Sequence, residues 1–294
     1  MPNWSELLNE LNSKFEGKTD HQREFYLKKL YEYTGRNVIV YFSGWLKNKK
    51  SNIDINDSDM TGFMTVINKL DASKGLDLIL HTPGGYPTAT EGIVDYLHSK
   101  FGNNIRVIVP HMAMSAGTML ACSSNTIIMG KHSSLGPIDP QFLGIPAYSI
   151  KEEFQKAKDD LASGSKNVDF WTIQLNKYPI AYSFIVDDAI KLSSELLKKW
   201  LNLYMFQGVD PKKKRVLINK VVKSLNTNAK SHSRHFNYAN CVAMGLNIMP
   251  LESDQTFQDL VLSIYHACTI TIDVTVVCKI IENQNGIRYL NFEG

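Results

Sequence analysis

The sequence predicts an α/β fold whose parallel strands are buried between helices. Three observations carry this. LDLILHT (76–82), IRVIVP (105–110) and NTIIMG (125–130) are short apolar runs bounded by Gly, Pro or Asn, which is the signature of a buried strand rather than a helix. The segments between them have helical punctuation: Pro87 suits a first helical position and Gly102 a helix end. The resulting order, strand–helix–strand–helix–strand, calls for parallel pairing with helices covering both faces.

The other elements follow in order. Residues 4–33 place Leu, Phe and Tyr on one face and read as one or two helices. RNVIVYFSGW (36–45) is β-branched and aromatic, a strand. After a polar loop, Asp57 or Ser58 is the expected cap of a helix reaching about Leu70. AMSAGTMLACSS turns into a short helix, and a loop, KHSSLGPIDPQF, follows the third buried run. Residues 149–163 read as helical. In 179–206 the apolar positions Ile185, Ala189, Leu192, Leu196, Trp200 and Leu203 recur every three or four residues, predicting a long amphipathic helix. Further helices are expected at 211–225, 237–245 and 254–268. The tail, KIIENQNGIRYL, carries Asn-Gly between two apolar runs, a hairpin signal. These elements divide the chain into an N-terminal helical segment (1–35), an α/β core (36–150), and a helical annex with a C-terminal hairpin (151–294) that completes the same domain.

Composition narrows the function. Apolar residues are 44% and charged residues 21%, so a packed core is affordable and disorder is not the main state. The net charge of +3 does not indicate a nucleic-acid coat. No apolar run is long enough to span a bilayer, and MPNWSELLNELNSKFEGKTD lacks the features of a secretory leader. A cytoplasmic location is therefore expected. Cys122, Cys241, Cys268 and Cys278 form no CxxC pair and sit mostly in apolar runs, which fits buried thiols better than disulfides or a zinc site. No cofactor and no metal are expected. PKKKRV (211–216) reads as a solvated helix start. His232 and His235 with Cys241 nearby lack a clear fourth metal ligand.

Two turns carry chemistry. In HTPGG (81–85) a glycine pair directly follows a buried strand, so backbone N–H groups can face an open edge without side chains in the way. In AMSAGT (113–118) a serine flanked by small residues stands where a strand passes into a helix, as in a nucleophile elbow. Taken alone, the first is an ordinary turn and the second an N-cap serine. Together they lie at the carboxyl ends of consecutive parallel strands, where open α/β sheets place their sites. One would supply an oxyanion hole and the other a nucleophile.

LDLILHTPGG, IRVIVPHMAMSAGTMLA and IIMGKHSSLGPIDPQ, taken in order, resemble the serine dehydrogenase proteinase family, relatives of signal peptide peptidase A and of ClpP. A looser likeness runs through 232–267 to the tail. The resemblance implies the ClpP/crotonase fold, a stacked β–β–α superhelix, here with a C-terminal helical annex. It implies a serine peptidase with Ser115 as nucleophile, and an oxyanion hole from Gly84, Gly85 and the N–H of Ala116.

The general base is the open position. ClpP places a histidine about one strand after the serine, where this chain reads LGPIDPQ, with Asp139 and no histidine. Signal peptide peptidase A uses a downstream lysine, for which Lys166 is the first candidate and Lys151 the alternative. His132 is the competing histidine base, and Asp139 an orienting residue or a turn cap. His111, His232 and His235 read as core or solvated residues. A lysine base has to be desolvated to be neutral near pH 7, whereas a histidine needs little tuning. The expected partners are a peptide or protein substrate and further copies of the chain. The oligomer is expected from the resemblance and from Phe184 and Tyr204, which exceed the main stripe of 179–206. The rival functions are a crotonase-like acyl-CoA enzyme and a catalytically degenerate scaffold on the same fold.

Overall fold

The computed structural model describes residues 2–47, 52–164, 167–226 and 233–293. Two helices open the chain, α1 (Trp4–Lys14) and α2 (Thr19–Thr34). Asn3 and Glu6 cap α1 reciprocally, each side chain accepting from the other's backbone N–H. Gly35 ends α2 at φ 67°. The α/β region then runs β1 (Asn37–Ser43), α3 (Asp59–Ile67), β2 (Leu76–His81), α4 (Pro87–Phe101), β3 (Ile105–Val109), β4 (Met112–Ala113), α5 (Ala116–Cys122), β5 (Thr126–Met129) and β6 (Ser134–Leu135). A small hairpin, β7 (Gln141–Phe142) and β8 (Ile145–Pro146), leads into α6 (Ala147–Ala162), α7 (Val168–Leu175), α8 (Tyr182–Trp200) and α9 (Pro211–Leu225). The chain closes with β9 (Phe236–Asn237), α10 (Tyr238–Met244), β10 (Ile248–Pro250), α11 (Gln255–Val274), β11 (Val277–Asn283) and β12 (Arg288–Phe292).

The architecture is mixed α/β around a seven-stranded sheet of order β10-β5-β3-β2-β1-β11-β12. The strands from β10 to β1 are parallel. β11 and β12 add an antiparallel edge through the Asn285–Gly286 turn, where Gly286 has φ 73°. A second, three-stranded sheet joins β4, β6 and β9.

Alternation along each strand decides what faces where. Leu78 and Leu80 of β2 pack with Phe63, Ile93, Met119 and Leu197 in one core, under α3, α4, α5 and α8. Ile79 faces the other way and packs with Val38, Val40, Leu27 and Ile264, under α2 and α11. Each such side chain contributes about 1.5–3 kcal/mol by leaving water. The exception in β2 is Asp77, a fully buried carboxylate at the amino end of the strand. Arg36 and Arg106 satisfy it, at 2.6 Å and 2.5–2.8 Å.

Several elements differ from the sequence expectation. The helix expected to end at 268 continues to Val274 through the β-branched TITIDV. There Ile270 packs against Leu7 and Leu11 of α1, and Ile272 faces the sheet core, so burial overrides propensity. The amphipathic helix of 179–206 is regular only over α8 and ends in a π-turn at Leu201–Met205. β10 carries no strand signal of its own, being short and ending in proline. It forms because it lies parallel against β5 at the sheet edge. Among the described residues no helix is long and apolar enough to cross a membrane.

Candidate active site

β2 ends at His81, and the chain turns through Thr82, Pro83, Gly84 and Gly85 into α4. This turn is stitched to the segment after β3: Thr82 N–H donates to Met112 O at 3.1 Å, and Met114 N–H donates to Thr82 O at 3.0 Å. The two motifs therefore meet. A Cβ on Gly84 would stand 2.7 Å from Ser115 Cβ and 2.6 Å from Met114 O, so only glycine fits. Gly85 (φ 153°) is pressed against another backbone: a Cβ there would lie 2.2 Å from Ile55 O. Ile55 N–H donates to Gly84 O at 2.7 Å, and Tyr86 N–H donates to Ile55 O at 2.9 Å.

Ser115 occupies the residue before α5 with φ 49° and ψ −118°. Left-handed backbone at a non-glycine residue costs on the order of 1–3 kcal/mol and persists only where its surroundings impose it. The surroundings here are small. Ala116 and Gly117 are buried, and a Cβ on Gly117 would meet Thr82 Cγ2 at 2.4 Å. Thr118 anchors the turn from below, donating to Ala113 O and accepting from Gly136 N–H. The Ser115 hydroxyl caps nothing, since its side chain makes no hydrogen bond to the helix. An N-cap role is thereby set aside.

The backbone donors around Ser115 are unequal. Gly84 N–H is engaged, donating to Thr82 Oγ1 at 3.1 Å. Of the residues expected to form the oxyanion hole, Gly84 is the one whose own N–H already has an acceptor, and its lack of a Cβ lets the two backbones approach. Among the described residues the N–H groups of Gly85 and Ala116 have no acceptor. Ala116 also heads α5, where the helix dipole favours negative charge.

Ser115 opens into a cavity of about 430 Å³. One wall is Gly85, Tyr86 and Pro87; another is Met119 of α5 with Ile138, Pro140, Gln141 and Phe142; α8 supplies Ala189, Leu192 and Ser193. Asp54 is the one charged residue of the lining among the described residues. Burial raises its carboxyl above the ordinary range, against the opposing pull of Lys279.

Of the base candidates, Lys151 and His132 lie outside this lining. Lys166 is outside the described residues, as is His232. Lys151 is exposed and pairs with Asp187 at 2.6 Å, and it does not line the cavity. His132 is also absent from the lining; its Nε2 meets Pro110 O at 3.0 Å. His111 hydrogen-bonds Tyr265 of α11 at 2.9 Å and stacks with His81, and His235 meets Ser134 at 3.0 Å. These histidines gather on the Tyr265 side, whereas the cavity is walled by α5 and α8. Burial, reinforced by His111, holds His81 well below its ordinary value; burial, reinforced by His132 and His235, lowers His111. Asp139 is buried between two lining residues and accepts from Gln141 Nε2 at 2.8 Å. Sequence reasoning missed Asp54 and the α8 wall. Asp54 sits in a polar loop without periodicity, and Ala189 and Leu192 read only as a core stripe.

Residues 49–173, which contain both turns, match the model of a family described as ClpP-like SDH-type serine proteinase. This is the family that the three sequence motifs resemble. Two curated proteins of Methanocaldococcus jannaschii are similar as well. Uncharacterized protein MJ0137 is 40% identical over 110 residues, 37% of each chain. Uncharacterized protein MJ1495 is 43% identical over 81 residues, 28% of this chain and 27% of its own length. The matched segments thus span well under half of either relative.

Proposed function

We propose that the chain is a serine peptidase that hydrolyses peptide bonds through an acyl-enzyme on Ser115. One observation carries the reading: a serine held in left-handed backbone at a strand-to-helix turn, beside two N–H groups that have no acceptor among the described residues. Attack by Ser115 Oγ on a carbonyl carbon would place the resulting oxyanion near Gly85 and Ala116. Each such donor typically accounts for roughly 100- to 1000-fold in rate. Water would then cleave the ester with the same base. The run of β3 on into β4 and of β5 on into β6, each couple giving its first strand to the seven-stranded sheet and its second to the three-stranded one, supports the ClpP/crotonase type of β–β–α stacking.

For the base we retain Lys166, with the Ser–His132 pair as its competitor. The test is the pH profile. A lysine base gives an alkaline rise and a large loss in Lys166→Met, whereas a histidine base gives a half-maximal rate near pH 6.5 that vanishes in His132→Gln. The functional unit is a homo-oligomer in this reading, formed through the apolar residues exposed on the segment from β7 to α8.

A second reading, a binding protein on a degenerate peptidase fold, rests on the cavity's lining, which among the described residues holds neither lysine nor histidine. A fluorophosphonate probe separates the two. Covalent labelling that disappears in Ser115→Ala supports the peptidase; a folded protein that takes no label supports the binding protein.

A further inference from the structure

A charged network lies buried beneath the HTPGG turn. Lys279, in the middle of β11, donates to Asp59 Oδ1 at 2.8 Å and to the backbone carbonyl of Asp54 at 2.7 Å. The other carboxylate oxygen of Asp59 accepts from Tyr41 OH at 2.8 Å and from Asn56 N–H at 3.0 Å. Lys279, Asp59 and Tyr41 are all essentially excluded from water. A buried ion pair is a poor source of stability, because desolvation consumes what attraction returns, and an apolar pair of like size serves as well or better. What these residues hold in place is the better account of them.

The network ends at the turn by two routes. Lys279 and Asp59 fix both sides of Ile55, through Asp54 O and Asn56 N–H, and Ile55 in turn brackets Gly85 by bonding Gly84 O and Tyr86 N–H. Separately, the Tyr41 hydroxyl interacts with the Thr82 side chain, and Thr82 Oγ1 accepts the Gly84 N–H. Both routes leave Gly85 N–H as the donor of the turn that has no acceptor among the described residues. The first also sets the backbone of Asp54, whose residue lines the cavity.

We infer that Lys279, Asp59 and Tyr41 are positioning residues that hold the Gly84–Gly85 peptide in its donor orientation toward Ser115. This rests on the peptidase reading for its purpose, but the positioning itself is measurable without it. The experiment uses the full chain with the double change Lys279→Met and Asp59→Leu, which removes the network without stranding a buried charge, and separately Thr82→Val, which cuts the second route. Amide hydrogen exchange is followed at residues 53–59 and 82–87, with the β2 and β3 amides as internal reference. The fluorophosphonate labelling rate of Ser115 is measured alongside.

The expected result for the double variant is a thermal midpoint close to that of the parent, exchange at Ile55 and Tyr86 faster by about tenfold or more, and labelling slowed by roughly 10- to 100-fold. Thr82→Val is expected to slow labelling less and to raise exchange at Gly84. Unchanged exchange at Ile55, Gly84 and Tyr86 in a folded variant overturns the inference. So does faster exchange with an unaltered labelling rate. A parent that takes no label defeats the peptidase reading instead, while the exchange readings still decide whether the network holds the turn. If the double variant does not fold, Tyr41→Phe, which removes only the hydroxyl and with it the bond to Asp59, decides through exchange at Ile55 and Tyr86: faster exchange supports the inference and unchanged exchange overturns it.

Discussion

The central sheet and the segment from β7 to α8 solve the burial problem differently. β1, β2 and β11 are buried at every residue, and even their charged members, Asp77, Lys279 and Glu282, are paired within the chain. The arm has only a small core of its own, Ala147, Ile150, Val186 and Ile190. Around it Leu143 is 100% exposed, Ile180 97%, Phe184 71% and Ile173 67%. The sheet is complete in one copy. The arm carries apolar surface that one copy leaves in water, the pattern of a face meant to be covered. The cavity at Ser115 lies where the two regions meet, lined by Gly85, Ser115 and Met119 from turns and helix at the sheet's end and by Ala189, Leu192 and Ser193 from α8.

This contrast predicts that changes on the sheet side act on chemistry and stability, while changes on the arm act on assembly. The largest effect is expected for Ser115→Ala: complete loss of fluorophosphonate labelling with a thermal midpoint near the parent's, since the hydroxyl makes no cap bond. Ser115→Gly should be equally inert yet more stable, by about 1 kcal/mol, because glycine relieves the left-handed backbone. A Ser115→Gly variant no more stable than Ser115→Ala would mean that the turn stores no strain. Next is Gly85→Val, whose Cβ collides with the Ile55 backbone. Loss of the donor geometry should slow labelling about 100- to 1000-fold. Normal rates in this variant would detach HTPGG from the mechanism.

A third prediction concerns pH and belongs to the sheet side. His81, His98, His111 and His266 are all held below their ordinary value of 6.5, chiefly by burial. In the unfolded chain they take up protons near 6.5, while in the folded chain they resist. Stability is therefore full above pH 6.5 and is lost as pH falls from there toward the folded values. Each unit of depression removes about 1.4 kcal/mol per histidine. Urea midpoints at pH 7.5 and 5.5 measure this, and His81→Phe should flatten the dependence. A midpoint that does not fall on acidification counts against it.

The smallest effect on the folded chain is expected in the arm. Ile180→Asp and Phe184→Asp should change stability by no more than about 0.5 kcal/mol, as surface substitutions do, while shifting the mass seen by light scattering from oligomer to monomer. A parent that is already monomeric at micromolar concentration would remove the distinction between the two regions and leave the exposed apolar residues unexplained.

Much of the fold was legible locally. The three buried runs, the Pro87 and Gly102 helix limits and the Asn-Gly hairpin each depend on steric or burial rules that act within a few residues. The two turns were legible for the same reason, since glycine pairs and small residues around a serine report local backbone demands. What the sequence by itself determined is thus the parallel α/β core, the place of Ser115 after a buried strand, and the family likeness of 75–150. Only the tertiary structure decided which backbone N–H groups stay unpaired, that Asp54 and α8 share a cavity with Ser115, and that the histidines gather around Tyr265 instead. Lys279 is the clearest case. In sequence it is one lysine in an apolar tail, but β11 joins the sheet beside β1 and brings it to Asp59, 220 residues away. Such pairing is set by strand order and packing over the whole chain, and no local pattern of residues encodes it.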